Sequence, residues 1–95
     1  MSRPYNNVIR VLKSMQFHHC CDVATPIGFK ACFIVKDAHL NEQYETGYEP
    51  LIQQLLKANN CIDKTPTDPS WMNVSLTMED ILAIDHIIER NLPSI

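Results

Sequence analysis

The sequence predicts an α+β fold: one small domain over residues 1–95, in the order α-β-β-α-α, with helices packed on a two-stranded antiparallel hairpin. Three observations predict it. Apolar residues recur at helical spacing in three separate segments. One run, Phe29 to Val35, is rich in aromatic and β-branched residues and reads as a strand. A turn signal, Thr25-Pro26-Ile27-Gly28, stands directly before that run, with Pro early and Gly late. No segment repeats another at a fixed period, so a solenoid is excluded.

The first helix spans Pro4 to about Gln16. Proline suits the first turn, and Val8, Ile9, Val11, Leu12 and Met15 form one apolar stripe, with Arg10, Lys13 and Ser14 mainly opposite it. Residues 17–23 fit either an extension of this helix or the first strand of the hairpin; the hairpin reading is favoured because the turn follows. Two strands alone are marginal in water, so helices must cover one face, or a free edge must pair with a second copy. Residues 36–47 are polar and read as a loop.

The second helix runs from about Tyr48 to Asn59. Thr46 and Glu49 have capping-box spacing, and Pro50 falls in the first turn. Leu51, Ile52, Leu55 and Leu56 give it an apolar face, and Asn59-Asn60 can supply the left-handed residue that ends it. Residues 63–70, with two prolines and no large apolar side chain, form a surface loop that leads to Trp71 and Met72. The third helix is the best signalled. Thr77 is its N-cap, Asp80 the box partner, and Leu76 and Ile81 stand at staple positions. Ile81, Ile84, Ile87, Ile88 and Leu92 form its apolar face, with Pro93 as a stop.

Composition narrows the function classes. Apolar residues are 45% of the chain, close to a globular average, and the net charge is −3 from eleven acids against eight bases. The basic residues are scattered, whereas a nucleic-acid binder normally carries a basic stripe, so nucleic acid is not an expected partner. No apolar run approaches the ~18 residues of a membrane span. The first residues lack the apolar core of a signal peptide, so a cytoplasmic location and reduced thiols at Cys20, Cys21, Cys32 and Cys61 are expected. With Gly28 and Gly47 the only glycines, no phosphate cradle can be built. No cofactor is expected.

His18-His19-Cys20-Cys21 carries metal-ligand residue types in a row. A zinc site needs converging ligands in spaced pairs, however, and the second pair is missing. Two half-exposed histidines beside two small thiols is the simpler reading. Cysteine, histidine and aspartate are all present, yet no motif arranges them for nucleophilic catalysis, which is defined by geometry and not by inventory. Glu42, Glu45 and Glu49, and the pair Glu79-Asp80, are accounted for by helix starts. Tyr44, Tyr48, Trp71 and Met72 are large side chains beside chain breaks, either lids on the core or interface anchors.

The leading expectation is a non-enzymatic interaction protein, an inhibitor or adaptor that docks on a larger protein through Tyr44, Tyr48, Trp71 and Met72 and self-associates. Short, glycine-poor chains without motifs are common among bacterial and phage accessory proteins. One alternative is a nucleotide- or small-ligand-binding protein with sites between subunits, using Arg3, Arg10, Lys13 and Lys30 against phosphate and an aromatic ring against a base. A second is a metal or thiol protein using His18, His19, Cys20 and Cys21.

Overall fold

The computed structural model describes residues 2–45 and 47–91. Its order is α1 (Arg3–Ser14), β1 (His18–Thr25), β2 (Gly28–Lys36), α2 (Asp37–Leu40), α3 (Glu49–Ala58), β3 (Ile62–Lys64), β4 (Trp71–Thr77) and α4 (Met78–Arg90). The class is α+β as predicted, but the sheet has four antiparallel strands, in the order β1-β2-β4-β3, where the sequence suggested two.

Helix α1 starts on the Ser2 side chain, which accepts from the Tyr5 amide. Its end decides the ambiguous residues that follow. Gln16 turns left-handed with φ 69°, its N–H bonds to the Lys13 carbonyl, and the Phe17 N–H bonds back to Leu12. This is the Schellman closure, with buried Phe17 and Leu12 as its apolar pair. The chain is thereby released from the helix at Gln16 and enters β1. Helix α3 ends the same way. Asn60 takes φ 54°, the Asn60 N–H bonds to Lys57 and the Cys61 N–H to Leu56, so Asn60 is the closing residue the sequence suggested, and β3 follows.

The residues Trp71-Met72-Asn73-Val74-Ser75-Leu76-Thr77 form a strand because they alternate. Val74 and Leu76 are fully buried, while Trp71, Asn73, Ser75 and Thr77 face the other way. The register sets Phe33 against Val74 and Ala31 against Leu76 on the inner face, and Ile34 against Asn73 and Cys32 against Ser75 on the outer. Strand β3 takes Asp63 and Lys64 out of the expected loop, which shortens to residues 65–70. There Asp68 accepts from both the amide (2.9 Å) and hydroxyl (2.7 Å) of Ser70.

The apolar stripes of the helices meet on the inner face in one cluster. It includes Val8 and Leu12 of α1, Leu40 of α2, Ile52 and Leu56 of α3, and Ile81, Ile84 and Ile88 of α4, against Phe33, Val35, Val74 and Leu76 of the sheet. Leu40 explains the single turn of α2 inside a polar stretch: it plants one apolar side chain in this core, and Gln53 holds its carbonyl at 2.7 Å. Helix α3 begins with Tyr48 as N-cap and no side-chain cap; the Thr46 half of the anticipated box lies outside the described residues, as do Leu92 and Pro93. Helix α4 carries the predicted capping box in full. The Asp80 amide donates to the Thr77 hydroxyl at 3.2 Å, and the Thr77 amide donates to Asp80 at 3.0 Å.

Candidate interaction surface

The outer face of the sheet carries His18, Cys21 and Val23 from β1, Lys30, Cys32, Ile34 and Lys36 from β2, and Trp71, Asn73, Ser75 and Thr77 from β4. None of these is buried. At one end of this face, Trp71 lies beside the His18 ring, centroid to centroid 6.0 Å, with the Lys36 ammonium 5.5 Å from the indole.

The other end of the sheet, at the hairpin, carries an apolar feature. The β2–β4 ladder stops at Lys30 against Thr77, while the β1–β2 hairpin continues to its turn and overhangs the sheet. Chain β4 swings at once into α4. A groove of about 540 Å³ is left between the overhang and the first turn of the helix, lined by Pro26, Ile27 and Phe29 on one side and Met78 on the other, with Lys30 and Glu79 among its remaining lining residues. Ile27, at the hairpin tip, is 96% exposed. Gly28 makes the tip geometry feasible, with φ +144° and open space where a side chain would be. Val23, Met78 and Leu82 are exposed as well. Scattered apolar residues on a surface need no explanation; Ile27 differs in standing directly beside an apolar groove that it helps to line. Two smaller depressions, of about 260 and 340 Å³, border α2 and α3.

The structure does not bring together the residues selected from the sequence. Tyr44, Tyr48 and Met72 are half-buried and pack against the core as lids, whereas Trp71 stands on the outer face of the sheet. Burial, with the carboxylates of Glu42 and Glu49 nearby, pushes the Tyr44 hydroxyl up to about 12. The four basic residues also separate. Arg3, Arg10 and Lys13 lie on α1, where Arg3 pairs with Glu89 of α4 at 2.7 Å and Arg10 bonds to Asn7, whereas Lys30 projects from the outer face of β2.

The His/Cys string is divided by the pleat and by a bulge. His18 and Cys21 face outward, and Cys20 is the unpaired extra residue of a bulge between His19 and Cys21. His19 turns inward over Phe33, ring centroids 5.0 Å apart. Among the described residues no three His, Cys, Asp or Glu side chains converge on a metal-sized site. His19 belongs instead to a polar cluster under α1. Asp22 accepts from the Tyr5 hydroxyl at 2.6 Å and contacts His19 Nε2 at 2.8 Å. Burial, then Asp22, pushes the Tyr5 hydroxyl up to about 12. Partial burial draws the Asp22 carboxyl upward, but the hydrogen bonds from Tyr5 and His19 and the His19 charge outweigh it and hold it below the usual carboxylate range. With Tyr5 buried and both its partners half-covered, the cluster ties the edge strand to α1.

Sequence reasoning missed Ile27, Met78 and Leu82 as surface residues, and Phe29, which is half-buried, as a wall of the groove. A signal existed for two of them. Ile27 is a large aliphatic residue inside a two-residue turn that polar residues usually fill, and Leu82 lies off the stripe of Ile81, Ile84 and Ile88. Comparison with protein-family models, curated proteins and solved structures found no significant match.

Proposed function

We propose that this protein is a non-enzymatic interaction module, of the inhibitor or adaptor kind, that binds a larger protein through the groove between the β1–β2 hairpin tip and the start of α4. The observation that carries this reading is Ile27, 96% exposed beside the apolar groove. Its packing contributes nothing to the core, so its chemistry is available only to a partner. The lining chemistry describes that partner: a segment presenting a large apolar side chain to Phe29 and Met78, with an acidic group to meet Lys30 and a basic one to meet Glu79.

A second copy of the chain is the weaker occupant. Strand β1, the long free edge, carries two features that natural sheets use against pairing with themselves, the Cys20 bulge and the inward-turned charge of Asp22. Strand β3, the other edge, is only three residues long.

Ile27→Asp tests the reading. A substitution at so exposed a side chain leaves stability within about 0.5 kcal/mol, yet in the middle of an interface it costs more than about 1–2 kcal/mol of binding, roughly tenfold or more in affinity. The partner retained by the wild-type protein should be lost by Ile27→Asp and kept by Trp71→Ala, which alters the opposite end of the sheet. Loss with Trp71→Ala alone would contradict the proposal.

A further inference from the structure

Cys21 and Cys32 are exact neighbours across the β1–β2 ladder, and both project from the outer face of the sheet. All four cysteines are free thiols in this structure; Cys20 and Cys21 are exposed, Cys32 is half-buried and Cys61 is buried. Directly opposed residues of an antiparallel pair have Cα atoms about 4.5–5.5 Å apart. A disulfide requires about 4.4–6.8 Å. The ladder therefore holds the two backbones within the range a disulfide spans, so that closing the bond requires only a small local approach of the two side chains. The other two thiols are placed differently. Cys20 projects from the bulge, where its thiol faces the His18 carbonyl at 3.6 Å. Cys61 is sunk in the core at the start of β3, where burial, then Asp80, pushes its thiol up to about 11.

We propose that Cys21 and Cys32 form a thiol–disulfide modification site that takes a small oxidised thiol, such as glutathione disulfide, as its co-reactant. The proposal is independent of the groove. The Cys21 thiolate attacks one sulfur of the small disulfide, forms a mixed disulfide and releases one small thiolate. Cys32 then loses its proton to solvent, and its thiolate attacks the Cys21 sulfur and expels the second small thiolate. Two protein thiols are oxidised to one disulfide, and the small disulfide is reduced to two thiols. Cys21 is the entry point because it is the more exposed of the two. Desolvation, then the facing Cys32 thiol, raises the Cys21 thiol above its ordinary range. The exchange is therefore slow near neutrality and accelerates as pH rises and the thiolate forms.

The product staples the edge strand to its neighbour beneath the hairpin. The oxidised protein should melt at a higher temperature than the reduced one, since the cross-link restricts the unfolded chain.

The test is equilibration of the intact protein in glutathione buffers of stepped redox ratio, followed by acid quench, alkylation and mass spectrometry. Wild type should lose two alkylatable thiols out of four and yield a cross-link between the tryptic peptides 14–30 and 31–36. Cys20 and Cys21 share the first of these peptides, so Cys20→Ser assigns the partner: it should retain the cross-link. Cys32→Ser should stop at a glutathione adduct. Circular dichroism of each Ser variant verifies that it is folded. Four free thiols under fully oxidising conditions, loss of the cross-link in Cys20→Ser, or oxidation only to covalent dimers would each overturn the proposal.

Discussion

At the scale of single residues, Tyr5 and Asp22 couple the packing of α1 on β1 to pH. Asp22 titrates below its unfolded value, so the stability it contributes is present above the ordinary carboxylate range. That stability is lost as pH falls through the lower folded value. Tyr5 is the opposite case. Its folded value of about 12 lies above the unfolded 10, so its contribution is present below pH 10 and is lost as pH rises to about 12. Tyr44, also raised to about 12, adds to the same alkaline loss. Tyr5→Phe removes the hydrogen bond but keeps the ring that packs against Phe29, centroids 5.8 Å apart. We expect it to cost about 1–2 kcal/mol at neutral pH. It should also flatten the alkaline slope of urea-melt stability to the part owed to Tyr44 and to the raised thiols of Cys61 and Cys21. An unchanged alkaline slope would show that the Tyr5 hydroxyl is not raised by its burial and its bond to Asp22 in the folded protein. None of this was legible in the sequence, because Tyr5 and Asp22 are 17 positions apart and meet only through packing of α1 on β1.

Among elements, the legible ones had local rules that agreed with their surroundings. Helix α4 was readable because Thr77, Asp80, Leu76 and Ile81 stand at four fixed positions around one helix start. Removing the cap with Thr77→Ala should cost about 1 kcal/mol, or roughly 4–8 °C in melting temperature for a domain of this size. Differential scanning calorimetry checks it. Strand β4 was equally written in its alternation of Met72, Val74 and Leu76, but the preceding prolines and the lone Trp71 drew attention to a loop. Strand β3 was not legible: its three residues, Ile-Asp-Lys, form a strand only because Asn60 ends α3 beside β4. The passage from α1 to β1 was obscure for a related reason. Its left-handed residue is Gln16, a type that gives no such signal. Replacing it with glycine, which adopts φ 69° without a steric cost, should raise stability by about 0.5–1 kcal/mol in chemical denaturation. A decrease would mean that the Gln16 side chain contributes contacts of its own.

For the molecule as a whole, the arrangement is one-sided. The helices contribute their apolar residues to one face of the sheet, and the sheet ends in an overhanging hairpin whose tip is apolar. The sequence made the layers predictable, since stripes and strand runs are local patterns. It did not make the contact surface predictable, since that surface depends on where a ladder stops. Tyr44 and Tyr48 resemble interface anchors in composition yet close the core, whereas Ile27 resembles core in composition yet stands in water. The most direct test is native mass spectrometry of the untagged protein isolated from the cells in which it naturally occurs, wild type beside Ile27→Asp. The expected result is a stoichiometric complex of the wild-type chain with one larger protein, absent for an equally well-folded Ile27→Asp. A wild-type homodimer that Ile27→Asp splits, or a complex that Ile27→Asp leaves intact, would contradict it.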